Sequence, residues 1–241
     1  MVGVLVKAFL LAGGRGERLR PLTLRMPKCM VPINGRPLLA IWLELCARHG
    51  IDDILLNVSQ HPDMVREFLH HWRATPRVEL VVESEPRGTA GTIADQRHFV
   101  DGESSFWVLY SDNLTDVDLS AMATAHAGHT GLLTMGLFRA PNPRAAGIVQ
   151  LGPDDRVVDF VEKPVQPMGD LANAGIYLAR GALLDGLPTA ASIVDFGHDV
   201  LPSLVGRMYG HVLDGFIRDI GTPEALAEAS AFWRQQKGSS S

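Results

Sequence analysis

The amino-acid sequence predicts an α/β fold: a single domain with a mixed, mostly parallel sheet flanked by helices. Short apolar runs alternate with helix-like segments in the first half of the chain, and strand-like runs follow one another in the second half. Alternation of strands and helices is typical of a parallel sheet covered on both faces. The 241 residues fit one large domain as well as two small ones. Since no linker or internal repeat is evident, we predict one domain over residues 1–236 and a disordered tail over 237–241.

The first half of the chain contains four predicted strands and three predicted helices. Each strand is a short apolar run, and each helix has apolar residues three or four positions apart or begins and ends near proline or glycine. The predicted strands are 4–12, 52–59, 77–83 and 105–113, and the predicted helices are 36–50, 62–72 and 88–100.

The second half reads as added strands followed by a terminal helix. The segments TGLLTMGLF, AGIVQLG, RVVDFVEKP and LANAGIYLA are strand-like with turns between them. Residues 194–207 are helix-like, and MYGHVLDGFIRDIG returns to strand. A last helix is predicted over 222–236, with Thr222 as its N-cap and Pro223 at its first position.

Composition and charge narrow the class of protein. The net charge is −5, from 22 basic and 27 acidic residues, whereas nucleic-acid-binding domains usually carry a basic face. No apolar run reaches the roughly 18 residues of a membrane span, and the first apolar run leads straight into a glycine loop, unlike a signal peptide. Cys29 and Cys46 are too few for a disulfide framework. We expect a cytoplasmic protein, a monomer or homodimer, without a nucleic-acid or membrane partner.

Polar segments follow three of the predicted strands. AGGRG follows the first strand, SEPRGTAG the third and SDN the fourth, and ligands of parallel α/β sheets bind beyond these strand ends. Gly13, Gly14 and Gly16 let backbone N–H groups approach an anion, and Arg18 and Lys28 add positive charge. A glycine turn with solvated arginines is the alternative. The loop is not a Walker A motif, since no Gly-Lys-Ser/Thr closes it.

Two acids have the character of metal ligands. Asp112 ends a buried strand, and Asp219 follows an apolar strand just before a capped helix. A carboxylate in such a place needs solvent or a cation, and hard oxygen donors suit Mg²⁺; a turn or helix cap is the alternative. We assign Asp116 and Asp118 to a turn or a cap. No HExxH or G-x-S-x-G motif is present, so nothing points to nucleophilic catalysis.

Two further motifs are weaker. Glu162 and Lys163 in VEKP are neighbours on a strand end, where a bend at Pro164 would bring both to one site, and a surface ion pair is the alternative. Asn173 in NAGIY is either a turn residue or a hydrogen-bonding group for a ligand hydroxyl.

Taken together in order, these motifs resemble those of the sugar nucleotidyltransferases. LLAGGRGERLRPLT, the following PK and PINGRPLL resemble the family's opening L-A-G-G-x-G-T-R-L-x-P-L-T, with Glu17 where Thr is common and Cys29 where Pro is common. EPRGTAG, SDN, VEKP, NAGIYL and FIRDIGTPEAL continue the resemblance from about residue 5 to about 232. Since the sequence shows no left-handed β-helix after the last motif, we expect it to resemble the short, single-domain branch of the family.

The resemblance implies a fold and an activity. The fold would be the Rossmann-like nucleotide-diphospho-sugar transferase fold. The enzyme would use Mg²⁺ to join a sugar 1-phosphate to the α-phosphate of an NTP, release pyrophosphate and serve polysaccharide biosynthesis. A non-catalytic homologue would lack a metal acid or the phosphate lysine, and a glycosyltransferase would carry D-x-D; SDN has only the first acid.

The resemblance also implies roles for individual residues. Asp112 and Asp219 would bind Mg²⁺, while Lys28 would lie between the α-phosphate and the sugar phosphate. Arg18 would join the nucleotide-binding backbone of Leu11, Ala12, Gly13, Gly14 and Gly16, with Gly88 and Thr89 near the base. Glu162 would hold sugar hydroxyls and Lys163 the sugar phosphate, with Asn173 and Gly175 lining the sugar pocket.

Glu83, five residues before Gly88, bears on the choice of base. A carboxylate only accepts hydrogen bonds, and guanine offers two adjacent donors, so Glu83 favours GTP over UTP; a solvent-exposed strand end is the alternative. FGHDVLP and FIRDIGTPE resemble heptose-1-phosphate guanylyltransferases, whereas GTAG leans toward mannose-1-phosphate enzymes. We favour D-glycero-α-D-manno-heptose 1-phosphate, then mannose 1-phosphate, with an N-acetylmuramate-1-phosphate uridylyltransferase as a further alternative.

Overall fold

The computed structural model describes residues 7–187 and 193–238. Residues 4–6 of the first predicted strand and residues 239–241 of the predicted tail lie outside this range. The described chain divides into two compact units. The first unit comprises residues 7–9, 87–109, 118–187 and 193–214, and the second comprises residues 10–86, 110–117 and 215–238.

The described chain contains thirteen strands and five α-helices, besides short helical turns. The strands are β1 Lys7–Leu11, β2 Pro32–Ile33, β3 Arg36–Pro37, β4 Asp53–Val58, β5 Arg77–Val82, β6 Ser105–Tyr110, β7 Asn113–Thr115, β8 Leu133–Arg139, β9 Gly147–Leu151, β10 Val157–Glu162, β11 Leu171–Arg180, β12 Met208–Val212 and β13 Ile217–Asp219. The helices are α1 Leu38–Arg48, α2 Pro62–His71, α3 Thr89–Asp95, α4 Leu119–Ala127 and α5 Pro223–Gly238.

The first unit is built on a mixed set of strands in the order β10-β9-β11-β6-β1. The long strand β11 pairs antiparallel with β6 and also with β8, and β8 pairs parallel with β12. Most of β11 is buried, and Tyr177 packs edge-on against the buried ring of Phe196. The pairing of β11 with β8 is interrupted between Asn173 and Tyr177. The NAGIY motif, residues 173–177, therefore forms a bulge in β11.

The second unit carries the strand order β1-β4-β5, in which β4 and β5 are parallel. The residues of β4 from Ile54 to Val58 are buried, and α1 buries most of its side chains, including Cys46. A short antiparallel ribbon of β7 and β13 completes the unit and pairs Asp219 with Asn113. Glycine and polar residues follow β1, β4 and β5. For β1 and β5, the first and third predicted strands, the sequence predicted these polar segments.

The structure divides two predicted elements. The predicted strand 105–113 is two strands, β6 and β7, because Ser111 turns the chain between them: its N–H and its hydroxyl both donate to the Leu11 carbonyl, at 3.1 and 2.9 Å. The predicted helix 194–207 is a π-helical turn at Phe196–Val200 followed by a 3₁₀ turn at Leu201–Leu204. Pro202 lacks the N–H that would continue a regular helix.

The remaining elements differ from the predictions mainly at their ends. The predicted helix 88–100 stops at Asp95 and continues as a 3₁₀ turn, Arg97–Val100. Helix α1 begins only after Pro37, whose backbone is extended. The terminal helix is confirmed: Thr222 caps it, accepting a 3.2 Å hydrogen bond from the Ala225 N–H. Among the described residues, none of the helices combines the length and apolarity that a transmembrane segment requires.

A buried polar network lies inside the first unit. Its contacts run from the Gly131 N–H to His129 Nδ1 at 3.1 Å, from His129 Nε2 to the Thr134 hydroxyl at 2.8 Å, from that hydroxyl to His126 Nδ1 at 2.7 Å, and from His126 Nε2 to Ser105 Oγ at 3.3 Å. Because an N–H can only donate, Nδ1 of His129 must accept, and Nε2 then donates to Thr134. Thr134 donates in turn to His126. The network is complete only while both imidazoles are neutral.

Candidate active site

A lysine and two aspartates meet in the second unit. The Lys28 Nζ atom lies 3.3 Å from Oδ2 of Asp112 and 3.0 Å from Oδ1 of Asp219. The Lys28 side chain is only 12% exposed. The Arg18 guanidinium lies 3.5 Å from the other oxygen of Asp219, Oδ2. We call Arg18, Lys28, Asp112 and Asp219 the phosphate cluster. All four are residues that the resemblance assigns to phosphate or metal.

The backbone of the second unit explains how the two distant aspartates meet. Asp112 follows Ser111 in the turn between β6 and β7, and Asp219 is the last residue of β13. The β7–β13 ribbon sets Asp219 opposite Asn113, and the Ile220 N–H donates to the Asp112 carbonyl at 3.2 Å. The metal interpretation of the sequence required this proximity.

The donor set of the phosphate cluster fits Mg²⁺. Oxygens of Asp112 and Asp219 both point at one cation, the Lys28 ammonium. Mg²⁺ is typically held by one or two carboxylates together with substrate phosphates rather than by an all-protein cage. In keeping with this, the described residues contain no group of three or more His, Cys, Asp or Glu side chains that could hold a metal ion.

Side chains from β4 hold the glycine loop in place. The Asn57 Oδ1 atom accepts a 2.8 Å hydrogen bond from the Ala12 N–H, and the Ser59 hydroxyl donates to the Gly13 carbonyl at 2.7 Å. A Cβ atom at Gly13 would lie 2.7 Å from Asn57 Nδ2, so only glycine fits. Nothing lies within 4 Å of a Cβ placed on Gly14. Asn57 and Ser59 were not predicted as site residues, although they are polar residues at the end of a predicted buried strand.

Gly16 and the buried Cys29 complete this segment. Gly16 has a left-handed φ of 59°, and its carbonyl accepts a 2.8 Å hydrogen bond from the Thr23 hydroxyl. Cys29, next to Lys28, is buried, and burial raises the pKa of its thiol to about 12. A thiol of that pKa is not a nucleophile at neutral pH, so this departure from the family pattern is a packing residue.

Glu83 lies against the glycine loop. Its residue is only 9% exposed, and its Oε2 atom would lie 3.2 Å from a Cβ on Gly13. Its N–H donates to the Val58 carbonyl at 2.9 Å, which extends the β4–β5 pairing by one residue. The alternative of a solvent-exposed strand end is therefore wrong. Glu83 shares the second unit with the phosphate cluster.

The side chains of Glu162 and Lys163 approach each other at the end of β10. Successive strand residues normally point to opposite faces, but Lys163 has a left-handed φ of 46°. Its Nζ atom lies 3.6 Å from Oε1 of Glu162. The bend expected at Pro164 thus occurs one residue earlier. The other oxygen, Oε2, would lie 2.6 Å from a Cβ on Gly147, so the carboxylate rests against glycine backbone.

Asn173 shapes the bulge of β11. Its Nδ2 atom donates to the Tyr177 hydroxyl at 2.6 Å, and its Oδ1 atom accepts a 3.0 Å hydrogen bond from the Gly175 N–H. Gly175 has a left-handed φ of 68°, which a glycine adopts without strain. These contacts agree with the interpretation of Asn173 as a turn residue, and its binding of a ligand hydroxyl stays a prediction.

Gly88 and Thr89 hold the segment 193–199 against the start of α3. A Cβ on Gly88 would lie 2.3 Å from the Val194 carbonyl oxygen, and Gly88 has a φ of 75°. The Thr89 hydroxyl donates to Asp195 Oδ2 at 3.1 Å and accepts from the Phe196 N–H at 2.7 Å. We call residues 193–199 the acidic loop.

The acidic loop is ordered by its own carboxylates. Asp195 Oδ1 accepts a 2.9 Å hydrogen bond from the His198 N–H, and Asp199 Oδ2 accepts a 2.7 Å hydrogen bond from the Asp195 N–H. The exposed His198 ring lies 2.9 Å from Asp199. That hydrogen bond, then the negative charges of Asp199, Asp195 and Glu162, raise the pKa of His198. From the sequence, this loop served only through FGHDVLP, as a marker of the acceptor sugar, and none of its residues was predicted as a site residue. The spacing of Asp195 and Asp199 was the available signal.

The comparison with protein families identifies the chain. The model of the nucleotidyl transferase family matches residues 7–236. The chain belongs to this family. The resemblance of the sequence to sugar nucleotidyltransferases is thereby confirmed.

Curated relatives and solved structures agree with this membership. The nucleotidyl transferase is 36% identical over 231 residues to a mannose-1-phosphate guanylyltransferase of Mycobacterium tuberculosis, covering 94% of this chain and 64% of the relative. It is 33% identical over 235 residues to a mannose-1-phosphate guanyltransferase of Aspergillus oryzae, covering 95% of this chain and 64% of the relative. The chain thus spans less than two thirds of the length of these relatives.

Two crystal structures have the same fold as this nucleotidyl transferase. One is a Bacillus anthracis protein described as a glucose-1-phosphate thymidylyltransferase and crystallised with sucrose; its TM-score is 0.82 at 22% identity, with 95% of each chain covered. The other is HddC from Yersinia pseudotuberculosis, with a TM-score of 0.79 at 25% identity, covering 95% of this chain and 99% of that one. They confirm the predicted fold class, a mixed α/β sheet flanked by helices.

Proposed function

We propose that this nucleotidyl transferase moves a nucleoside monophosphate from an NTP, with GTP favoured, to a sugar 1-phosphate and releases pyrophosphate. The observation that carries the proposal is the phosphate cluster, in which Lys28 lies between Asp112 and Asp219 at 3.3 and 3.0 Å. This cluster supplies two carboxylates for a metal and two cations for phosphates. Family membership supports the same reaction class.

The reaction needs charge neutralisation more than proton transfer. A sugar-phosphate oxygen is already anionic near neutral pH, so it can attack the α-phosphorus without a base. A bond forms between that oxygen and the α-phosphorus, and the bond from the α-phosphorus to the bridging oxygen breaks. Pyrophosphate leaves with the electron pair. The sugar phosphate is itself the nucleophile, so no side chain of the protein has to attack, which agrees with a buried, high-pKa thiol at Cys29.

We assign the following roles in the second unit. The backbone around Gly13, Gly14 and Gly16 binds the nucleotide phosphates, and Arg18 and Lys28 neutralise charge on them. Asp112 and Asp219 would hold Mg²⁺, which when bound offsets phosphate charge as a Lewis acid. The clamping of Ala12 and Gly13 by Asn57 and Ser59 lowers the entropy that the loop loses when the nucleotide binds.

The proposal of GTP depends on Glu83. A buried carboxylate beside Gly13 is an acceptor, and a guanine base carries two adjacent N–H donors that a carboxylate can bind together. The relatives in Mycobacterium tuberculosis and Aspergillus oryzae are named for guanylyl transfer, which supports this choice. Gly88 and Thr89 are proposed to lie near the base.

The proposed acceptor is a manno-configured sugar 1-phosphate. Glu162 would bind sugar hydroxyls and Lys163 the sugar phosphate, while the bulge at Asn173 and Gly175 would line the sugar pocket. Mannose 1-phosphate is supported by the names of the relatives. D-glycero-α-D-manno-heptose 1-phosphate is the second candidate, because FGHDVLP and FIRDIGTPE favour it.

A substrate matrix tests the proposal. Purified protein with Mg²⁺ is assayed for pyrophosphate release with GTP, UTP, CTP, dTTP and ATP, each against mannose, heptose, glucose and N-acetylmuramate 1-phosphates. We expect the highest kcat/KM with GTP and one of the two manno-configured sugars. Turnover with UTP but not GTP would overturn the assignment of Glu83. Absence of pyrophosphate with every pair would overturn the activity itself.

A further inference from the structure

We propose that the protein without nucleotide fills its metal site with its own cations, so that a divalent metal binds tightly only after the NTP has withdrawn Lys28. The inference rests on the proposed function, since it takes Asp112 and Asp219 as the metal ligands. It goes beyond that function by coupling metal binding to nucleotide binding through one lysine.

The contacts of the phosphate cluster leave little room for a second cation. Lys28 takes one oxygen from each aspartate, Oδ2 of Asp112 and Oδ1 of Asp219. Arg18 faces the remaining oxygen of Asp219 at 3.5 Å. Asp219 therefore has a cation at each of its two oxygens. A metal reaching both carboxylates would meet the Lys28 ammonium at short range, and charges of like sign repel strongly there.

Lys28 is the stronger of the two cations that compete with a metal for the aspartates, and Arg18 is the weaker. The Lys28 side chain is 12% exposed, whereas that of Arg18 is 68% exposed. An exposed pair is weakened by solvent and salt, while a mostly buried ammonium needs an anionic partner wherever it goes. Displacement of Lys28 by a metal therefore costs free energy unless another anion lies nearby to pair with the ammonium.

The phosphates of an NTP provide that anion. When they bind Lys28 and Arg18, the carboxylates of Asp112 and Asp219 lose their cations and become available to a metal. Gly221 packs directly against the pair of Arg18 and Asp219: a Cβ there would lie 2.7 Å from Arg18 and 2.9 Å from both oxygens of Asp219, so only glycine leaves this contact unobstructed. Metal and nucleotide should then strengthen each other's binding by the same factor.

The test measures Mn²⁺ binding to the whole chain by electron paramagnetic resonance, without any turnover. Wild type, Lys28→Met and Arg20→Met are compared without nucleotide. Arg20 is the matched control: it lies in the same basic segment, and its guanidinium is 3.5 Å from Glu17 rather than from either aspartate. We expect Lys28→Met to bind Mn²⁺ on the order of tenfold more tightly than wild type, because the competing charge is gone. Arg20→Met should change the affinity by less than about twofold.

Two further measurements fix the site and the coupling. Asp112→Asn combined with Lys28→Met should abolish the gain, which places the added Mn²⁺ at the phosphate cluster. An α,β-methylene analogue of GTP should raise the Mn²⁺ affinity of the wild type by a larger factor than that of Lys28→Met, because its phosphates add metal ligands in both proteins but release Lys28 only in the wild type. If Lys28→Met does not fold, as judged by circular dichroism, Lys28→Gln replaces it in both measurements.

Unchanged or weaker Mn²⁺ binding in a folded Lys28 variant would overturn the inference, as would equal wild-type affinity with and without the analogue. These results do not depend on pyrophosphate release. A protein that releases pyrophosphate but shows no gain of Mn²⁺ affinity retains the proposed function and refutes the inference. A protein whose Lys28 variant gains Mn²⁺ affinity, but that releases no pyrophosphate with any substrate pair, retains the inference and refutes the proposed function.

Discussion

The phosphate cluster and the acidic loop both concentrate carboxylates, but they use them differently. In the phosphate cluster, Asp112 and Asp219 pair with the side chains of Lys28 and Arg18. In the acidic loop, Asp195 and Asp199 accept hydrogen bonds from backbone N–H groups of the loop itself. Side-chain ion pairs can be exchanged for a ligand without unfolding the backbone. Carboxylates that accept hydrogen bonds from backbone N–H groups instead stabilise the conformation of the loop.

This difference predicts that substitutions in the phosphate cluster change chemistry, and those around the acidic loop change stability and fit.

The largest effect is expected for Asp112→Asn. Loss of one carboxylate from the phosphate cluster removes a proposed metal ligand, and we expect pyrophosphate release to fall by at least about a hundredfold. The matched control is Asp118→Asn, which removes the same charge from the N-cap of α4, where Asp118 accepts from the Ser120 and Ala121 N–H groups. Asn caps helices as well as Asp does, so turnover should stay near wild type. Equal losses in both variants would contradict the metal assignment.

A smaller effect is expected where β4 holds the glycine loop. Ser59→Ala removes the donor to the Gly13 carbonyl, and a lost hydrogen bond of about 1 kcal/mol corresponds to roughly a fivefold change in binding. We expect KM for the NTP to rise by about that factor with kcat nearly unchanged, since the bond positions the loop. Ser59→Thr keeps the hydroxyl and should restore KM. A fall in kcat with constant KM would argue against a positioning role.

The contrast is sharpened by Thr89, which belongs to the side of the acidic loop. Thr89→Val removes the hydrogen bonds to Asp195 and Phe196 and should lower the free energy of unfolding in urea by about 1–3 kcal/mol. Thr89→Ser keeps the hydroxyl and should retain most of the stability. Mn²⁺ affinity should be the same in all three proteins. A changed Mn²⁺ affinity in Thr89→Val would show that the two regions do not differ as described.

The smallest effect at neutral pH is expected from the buried histidines of the first unit. Burial, then the charge of Arg180 and of His129, lowers the pKa of His126 from 6.5 to about 3. The folded protein therefore holds His126 neutral, whereas the unfolded chain takes up a proton below pH 6.5. The stability from this site is complete above pH 6.5 and is lost as the pH falls from 6.5 toward 3.

Urea unfolding between pH 8 and pH 4 measures this loss. His126→Gln offers an acceptor to Thr134 and a donor to Ser105 but cannot be protonated, so its stability should fall less steeply on acidification than that of the wild type. The control is His70→Gln on the exposed face of α2, which should follow the wild-type curve. A His126→Gln curve parallel to the wild-type curve would contradict the neutral network.

Local patterns were enough for much of the fold and of the phosphate cluster. Short apolar runs predicted the strands, and Thr222 with Pro223 predicted the start of the terminal helix, which the structure confirms. Asp116 and Asp118 were assigned to a turn or a cap, and Asp118 does cap the start of α4, whereas Asp116 accepts from the Phe216 N–H, a hundred residues away. The correct predictions succeed because the groups involved interact within a few residues or obey a strand or helix period.

Two of the differences from the predictions involve contacts distant in sequence, whereas the break of the predicted helix 194–207 coincides with a local residue, Pro202. The strand 105–113 is broken because Ser111 hydrogen-bonds to Leu11, a hundred residues away. Asn57 and Ser59 passed unnoticed because their partners, Ala12 and Gly13, lie in the loop after β1.

Contiguous motifs are enough to identify the family, the alternation of strands and helices, and the residue types available for phosphate and metal. Which of these groups meet depends on the folded arrangement of the chain. The β7–β13 ribbon brings Asp219 to Asp112, and burial makes Lys28 the cation that both share. Distance and burial set the strength of charge interactions, and neither can be read from the order of residues along a chain.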